Sequence, residues 1–499
     1  MGRGITPGAE SEGTEGAAGT APRPPLPPGP FFIVGLGRAG MAGARALASR
    51  GETVRVWDEA ADPPQVQRAQ ALRAIGAEVV LGGDGLASLG DSATVLKSPG
   101  VPLEAPVVAE AIRRGLPIVD ELDIGWRLVP APTIAVTGTN GKSTVAGLCV
   151  SVLEEHGLEP VLSGNTDFGP PLSELALGPP PRSIVAEVSS YQAECSPELA
   201  VDAAVFTNLT PDHLNRHRTM AAYAAAKRSL FVRGDWAVPL AALNVDDELG
   251  RALAGEIEER GGRAVRYGRS SEADHRIVGC HWGLRGAEIE IDTRDGRVAL
   301  TSHLPGAHNA ANAVSVLALA DGLGLPRTPT LAAIAAAAPA PGRFEVVDVD
   351  RPFDVVVDFA YAVDSVAAVL AAARSIVASR GGRLITVLAV VGRAGPLSGR
   401  EVGAVARERS DHLILSGTSY RGEPRLVTLA ALAVGARTAS GGTLEIVIDR
   451  RAAIARALDQ ARPGDLVAIL GRGPTAREAT DARGGVRRLD DRAAVTELA

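Results

Sequence analysis

Of the 51 basic side chains in this chain only three are lysines: Lys97, Lys142 and Lys227. Arginine is always protonated and spreads its charge over a planar fork. Lysine offers a compact point charge or, once deprotonated, a reactive amine. In a chain that otherwise uses arginine, these three positions are where chemistry is to be sought. Lys142 lies in Thr137-Gly138-Thr139-Asn140-Gly141-Lys142-Ser143-Thr144. Such a loop, set between a strand and a helix, turns backbone N–H groups onto phosphate oxygens. Lys142 would then meet the β- and γ-phosphates, and Ser143 would offer a hydroxyl to Mg²⁺. Val136 replaces the first glycine of the common Gly-x-x-x-x-Gly-Lys-Ser/Thr pattern, but the physical requirements of the loop are kept. The expected ligand is ATP or another nucleoside triphosphate.

Other groups are spaced for related work. Glu187 in AEVSSYQ closes a β-rich run, where an acid beside a triphosphate suits Mg²⁺. His213 in TNLTPDHLNRH suits a second metal. Lys227 stands on an Ala-rich helix, YAAAKRSLF; by itself it reads as a solvated surface lysine. Gly35-x-Gly37-x-x-Gly40 follows a strand, and Asp58 ends the next one. This is the fingerprint of a dinucleotide site, with glycines for the turn and an acid for a ribose hydroxyl. NAD, another diphosphate and a plain tight turn all remain open there.

The elements that must position these groups alternate along the chain. FFIVGLG, TVRVWD, TIAVTG, SIVAEVSS and AAVFTNL read as strands, and MAGARALASRG, STVAGLCVSVLEEHG and MAAYAAAKRSLF as helices. A third block holds the strands FDVVVDF, RLITVLAVVG, HLILSG, LEIVID and GDLVAIL, with the helix RRAAIARALDQA. This is an α/β chain with mostly parallel sheets. Proline-rich breaks at 130–132 and 339–342, with a length of 499 residues, give three domains. They are 30–129, 130–338 and 339–499, after a disordered Gly/Pro-rich tail at 1–29. The first and third should be Rossmann-like, and the second a P-loop ATPase-type domain. Net charge is -7 with no basic block, so nucleic acid is not an expected partner. Neither a signal peptide nor an apolar run of about 20 residues is apparent, which points to the cytoplasm and away from membranes. Cys149, Cys195 and Cys280 are far apart and read as buried free thiols.

GTNGKST resembles the phosphate loop of the Mur ligases, the ATP-dependent amide-forming enzymes of peptidoglycan precursor synthesis. The motifs that follow agree in order: Glu187, then Asn208 with His213, then Lys227, NVDD ending a strand at Asp247, GAHNAAN and Arg343 in PGRFE. The resemblance implies ATP bound by Gly138, Thr139, Asn140, Gly141, Lys142, Ser143 and Thr144, with Asn309, Asn312, Arg343 and Asp358 completing the contacts. It implies two Mg²⁺ sites using Ser143, Glu187, His213 and a carbamate formed on Lys227. His308 in the same stretch reads equally well as a structural histidine. Arg343 would be carried on the third domain, so that domain closure completes the site.

The first domain is similar to the D-glutamate-adding branch of the family. In that branch Gly35, Gly37, Gly40, Asp58, Ser98, Pro99 and Gly100 would hold the UDP of the substrate, and across the family Asn165 would lie near the substrate and the γ-phosphate. The implied reaction joins D-glutamate to UDP-N-acetylmuramoyl-L-alanine through an acyl phosphate, giving ADP and phosphate. The third domain resembles instead the branch that adds the third residue. Tyr361 stands where that branch has histidine, Arg472 where lysine is common, and no lysine occurs in 339–499. GRAGPLSG and SGTSYRGEP replace expected motifs, with Arg421 as a candidate carboxylate anchor. Two alternatives follow: a divergent ligase adding another amino acid, and a non-catalytic nucleotide-binding paralogue. A monomer is expected, with a UDP-linked muramoyl substrate and an amino acid as its partners. Lys97 is left between a role at the Ser98-Pro99-Gly100 turn and a leftover surface lysine.

Overall fold

The computed structural model describes residues 23–166, 169–338, 341–389, 396–417, 425–473, 477–480 and 486–499. Arg421 and most of GRAGPLSG and SGTSYRGEP lie outside the described residues, as does the tail as far as residue 22. The chain forms two compact units, Met1–Arg276 with Val314–Ala333, and Ile277–Ala313 with Ile334–Ala499.

The first unit contains two parallel sheets. One has five strands in the order Glu78–Leu81, Val54–Asp58, Phe31–Val34, Thr94–Lys97, Ile118–Val119. Its central strands are apolar on both sides because helices cover both faces. The second runs Arg263–Gly268, Leu240–Asn244, Ala203–Phe206, Thr133–Thr137, Ser183–Glu187, Pro160–Gly164, again all parallel. The carboxyl ends of Thr133–Thr137, Ser183–Glu187 and Ala203–Phe206 therefore lie side by side. Ligands of open α/β sheets bind at such ends. The strand before NVDD stops at Asn244 rather than Asp247, because Asp247 is spent as the cap of helix Glu248–Glu259, accepting from Leu249 N–H (2.9 Å).

The second unit contains an antiparallel ladder between Gly286–Thr293 and Gly296–Ser302, which the sequence reading did not anticipate. Its larger sheet has six strands: Glu345–Val347, Asp354–Asp358, Leu466–Leu470, Leu384–Leu388, His412–Leu415, Thr443–Ile446. All are parallel except the first.

The tail expectation ends too late. Arg23 stacks on the Trp126 ring (4.4 Å) and donates to Ala131 O (2.6 Å), and Thr94 Oγ1 donates to Pro28 O (2.8 Å). Residues 23–29 are tied down by this one cation–π contact and by backbone carbonyls, neither of which composition reveals. Cys149 and Cys195 are buried free thiols, whereas Cys280 is half-buried.

The short helix Glu121–Leu128 brings Asp120, Glu121 and Asp123 into the interior, all essentially unexposed. Burial raises the Glu121 carboxyl to about 7, against two hydrogen bonds from Ser173, N–H (2.5 Å) and Oγ (2.6 Å). A carboxyl held above its unfolded value stabilises the fold fully at low pH and loses that contribution as pH rises through its folded pKa. Glu121→Gln should therefore raise stability at pH 8 by on the order of 3 kcal/mol at most and flatten the decline of melting temperature between pH 5 and 8. Melting curves across that range test this, and an unchanged slope would refute it.

Candidate active site

The loop Gly138–Gly141 leads from strand Thr133–Thr137 into helix Lys142–Glu155. Gly138 has φ of +151°, and a Cβ there would lie 1.8 Å from Thr207 Oγ1. Only glycine fits that approach. Residues 207–210 pin the loop from the neighbouring strand end. Thr139 N–H donates to Asn208 O (2.8 Å) and Asn140 N–H to Asn208 Oδ1 (2.9 Å), and Asn208 Nδ2 returns a bond to Asn140 O (3.2 Å). Thr207 Oγ1 donates to Asn140 O (2.6 Å). Asn208 thus shapes the loop. Gly141, Lys142 and Ser143 are half-buried, and Thr144 turns inward.

Two ammonium groups meet on one loop carbonyl. Lys142 Nζ donates to Thr139 O (2.7 Å) and Gly138 O (3.2 Å), and Lys227 Nζ donates to Gly138 O (2.6 Å). Lys227 is buried, on helix Met220–Arg228, so the surface reading fails. Burial lowers its pKa well below the usual lysine value, the Lys142 charge adds to that, and Asp212 and Glu187 oppose it. Burial and the Lys142 charge both favour the neutral amine over the ammonium.

Glu187 ends its strand and is nearly unexposed. Its Oε1 accepts from Asn165 Nδ2 (3.2 Å), while Oε2 has no hydrogen-bond partner among the described residues. Asn165 N–H also donates to Glu187 O (2.7 Å), so the two side chains are set as a pair. His213 has φ of +56°. Its pKa is lowered by burial and then by Lys142 and Lys227, against Asp212 at 3.4 Å. That leaves a neutral imidazole, the form that ligates metals. Among the described residues no three His, Cys, Asp or Glu side chains gather into a cage. Mg²⁺ is commonly held by one or two carboxylates together with phosphate oxygens and water. The partnerless oxygen of Glu187 fits such an ion.

Sequence reading passed over Tyr223. It stands four residues before Lys227 on the same helix face, the i,i+4 spacing that brings side chains together. Its hydroxyl bonds Thr139 Oγ1 (3.1 Å), Lys227 Nζ lies 4.7 Å from its ring centroid, and His217 stacks on it at 5.2 Å. Tyr191 packs on His213 at 5.0 Å. The aromatic pair thus holds the lysine and the histidine against the loop.

At the five-stranded sheet, Gly35 has φ of +96° and a Cβ on Gly40 would lie 1.9 Å from Gly35 O. Gly37 has open space around it. Asp58 Oδ2 accepts from Leu36 N–H (2.6 Å) and Oδ1 from Ala60 N–H (2.8 Å), so this acid closes the turn. Ser98 Oγ donates to Gly35 O (3.0 Å), bringing the Ser98-Pro99-Gly100 turn to the same place, with Gly100 exposed. Arg38 donates to Thr166 O (3.1 Å) and Gly169 O (2.6 Å), tying this helix start to the segment after Asn165.

The remaining candidates lie in the second unit. Asn309 Nδ2 donates to Pro305 O (2.9 Å) and Asn312 Nδ2 to Asn309 Oδ1 (3.1 Å), both residues being buried. Burial brings His308 down to about 4. Asp358 is buried and accepts from Phe344 N–H and Ala360 N–H (both 2.6 Å), so it fixes the turn that carries Arg343. Arg343 lies over the Phe359 ring (5.6 Å).

Three family patterns cover these regions: the Mur ligase MurD-like N-terminal domain over residues 30–120, the Mur ligase middle domain over 136–320, and the Mur ligase glutamate ligase domain over 342–473. A UDP-N-acetylmuramoylalanine–D-glutamate ligase of Aromatoleum aromaticum is 32% identical over 461 residues, which is 88% of this chain and 91% of that protein. The chain belongs to the Mur ligase family. Ligases of the same name from Pelotomaculum thermopropionicum (34% identical) and Frankia casuarinae (39%) match over 59% of this chain. The chain spans 63% and 62% of those two Mur ligases. Among solved structures, a UDP-N-acetylmuramate–alanine ligase of Thermotoga maritima has a TM-score of 0.58 at 19% identity, covering 89% of this chain and 95% of its own. A UDP-N-acetylmuramoyl-L-alanyl-D-glutamate–2,6-diaminopimelate ligase has a TM-score of 0.54 at 24% identity, covering 89% and 92%. At those identities the two structures speak for the shared Mur ligase fold alone.

Proposed function

We propose that the chain is an ATP-dependent ligase that joins D-glutamate to UDP-N-acetylmuramoyl-L-alanine. The observation that carries the reading is the Gly138 carbonyl, which accepts from both Lys142 and Lys227 beside a glycine-formed phosphate loop. The Lys142 ammonium at that carbonyl favours the arrival of a polyanion, and the crowding disfavours the charged form of Lys227. The match to D-glutamate ligases over most of the chain supports this choice of substrate.

On this reading the loop N–H groups and Lys142 hold the triphosphate and neutralise charge as the γ-phosphoryl moves to the substrate carboxylate. Mg²⁺ bound through Ser143, Glu187, His213 and a carbamylated Lys227 would supply further charge neutralisation. Asn165, set by Glu187, orients the reacting carboxylate. The amino group of the incoming amino acid then attacks the acyl phosphate, forming the amide and releasing phosphate. Gly35, Gly37, Gly40, Asp58 and the Ser98-Pro99-Gly100 turn receive the UDP. The other proposed nucleotide contacts, Asn309, Asn312, Arg343 and Asp358, are on the second unit. We assign the domains to 30–129, 130–338 and 339–499 and place the enzyme in the cytoplasm as a monomer; among the described residues no helix is long and apolar enough to cross a membrane.

The test is ADP release with UDP-N-acetylmuramoyl-L-alanine and a panel of amino acids. Turnover is expected with D-glutamate. The absence of lysine from 339–499 motivates the second reading, a ligase for another amino acid. Turnover with a different panel member and none with D-glutamate would establish that reading in its place.

A further inference from the structure

Lys97 is the lysine that the proposed reaction leaves without a task. It ends strand Thr94–Lys97, and its side chain is fully buried at 0% exposure, which removes the surface reading. A buried ammonium persists only where hydrogen bonds and opposite charge offset its lost hydration. Lys97 Nζ donates to Ser98 O (3.1 Å). Ser98 N–H donates to Val34 O (3.0 Å) and Ser98 Oγ to Gly35 O (3.0 Å). The first residue of the Ser98-Pro99-Gly100 turn is thus held at all three of its polar groups. Two of the holds run to the strand end that forms the glycine-rich turn, and the third is the lysine.

Cys195, Asp120 and Glu194 favour the Lys97 charge and Arg216 opposes it, Asp120 being the fully buried carboxyl among them. Asp120 Oδ1 accepts from Leu122 N–H (3.0 Å), and its Oδ2 has no hydrogen-bond partner among the described residues. Burial raises this carboxyl to about 7 and lowers Lys97, and the attraction between the two opposes both shifts. Asp120 N–H also donates to Cys195 O (2.6 Å), just past helix Ser190–Glu194, which follows Glu187. One carboxyl that favours the charge fixing the turn is therefore anchored to the neighbouring sheet region. An arginine fork could not replace a point charge aimed at one carbonyl in a closed space.

We propose that Lys97 is a positioning residue for the UDP end of the substrate, its ammonium fixing the Ser98 carbonyl and with it the Ser98-Pro99-Gly100 turn. The inference rests on the reading of that turn as part of the UDP site. A purely structural lysine would, when lost, weaken the fold without singling out one ligand.

The test uses the full chain with Lys97→Met and the double variant Lys97→Met/Asp120→Asn, which removes the charge Lys97 leaves behind. UDP binding is measured by calorimetry, and KM for ATP and for the UDP-linked substrate by ADP release. The UDP Kd and the KM of the UDP-linked substrate should rise at least tenfold in both variants, with the KM for ATP within twofold. The double variant should recover melting temperature without recovering UDP affinity, and it carries the test if the single variant does not fold. UDP binding within twofold of wild type in either folded variant overturns the inference. An equal rise in both KM values overturns it too. Failure of the wild-type chain to bind UDP would instead overturn the nucleotide reading of this region, and the inference with it.

Discussion

Lys227→Arg is expected to lower kcat at least about a hundredfold while KM for ATP changes far less. The reason is chemical and not a matter of charge count. Lys227 Nζ is buried, and Lys142 shares the Gly138 carbonyl with it. Both effects lower its pKa and so favour the free amine. A free amine adds to CO₂: a C–N bond forms, one C=O pair moves onto oxygen and an amine proton leaves to solvent. The product would be an anion beside the phosphate loop, suited to Mg²⁺. Arginine keeps its proton and cannot take this step. It also enlarges a side chain packed on Tyr223. Lys227→Ala leaves room where the carbamate would stand, so acetate or propionate should restore part of the rate there and none in Lys227→Arg. Depleting CO₂ should slow the wild-type enzyme and leave Lys227→Ala unaffected. Wild-type rates in Lys227→Arg would end the carbamate reading.

How much of this site could be read from sequence follows from how far each residue's partner lies along the chain. The phosphate loop was legible because its glycines, lysine and hydroxyls sit within eight consecutive positions, flanked by a strand and a helix. Glu187 and Lys227 were brought together by the family resemblance alone, whereas the contact of Lys227 with Gly138, across 89 positions, had no local sign. Asp58 was expected at a ribose; it sits at the turn as expected, but its carboxylate is engaged by Leu36 and Ala60 N–H groups. Asp358 shows the same pattern with Phe344 and Ala360. Strand-end acids announce themselves by position, whereas the backbone groups they accept from appear only once the turn is folded. Lys97 was illegible for a related reason. Its burial depends on Asp120 and Cys195 arriving from elsewhere, and no local pattern marks a lysine at a strand end as interior. The parallel sheets were plain in the apolar runs that double-sided burial demands. The 286–302 ladder was not, because its polar, half-exposed strands lack that signal.

The second large effect is expected at Lys142. Lys142→Met should lower kcat roughly 10³-fold, the range found when a cation that meets the developing charge of phosphoryl transfer is removed. Binding of ATP should suffer less, because the loop cradles phosphate mainly through backbone N–H groups whose geometry is set by Thr207 and Asn208 and not by Lys142. Lys142→Arg should recover under a tenth of the lost rate: its fork would have to enter the space between Thr139 O and Gly138 O, where Lys227 already donates. The shared carbonyl also makes the two lysines energetically dependent. Removing the Lys142 charge lets the Lys227 pKa rise, so its amine holds a proton more tightly and accepts CO₂ less readily. Lys142→Met should therefore damage the enzyme twice, once at the phosphate and once at the carbamate. The double variant Lys142→Met/Lys227→Ala should then fall short of the product of the single losses, as expected for residues in contact. Rate constants for the four proteins at one fixed, sub-saturating CO₂ concentration measure the coupling directly. Strict additivity would mean that the lysines act independently, despite the carbonyl between them.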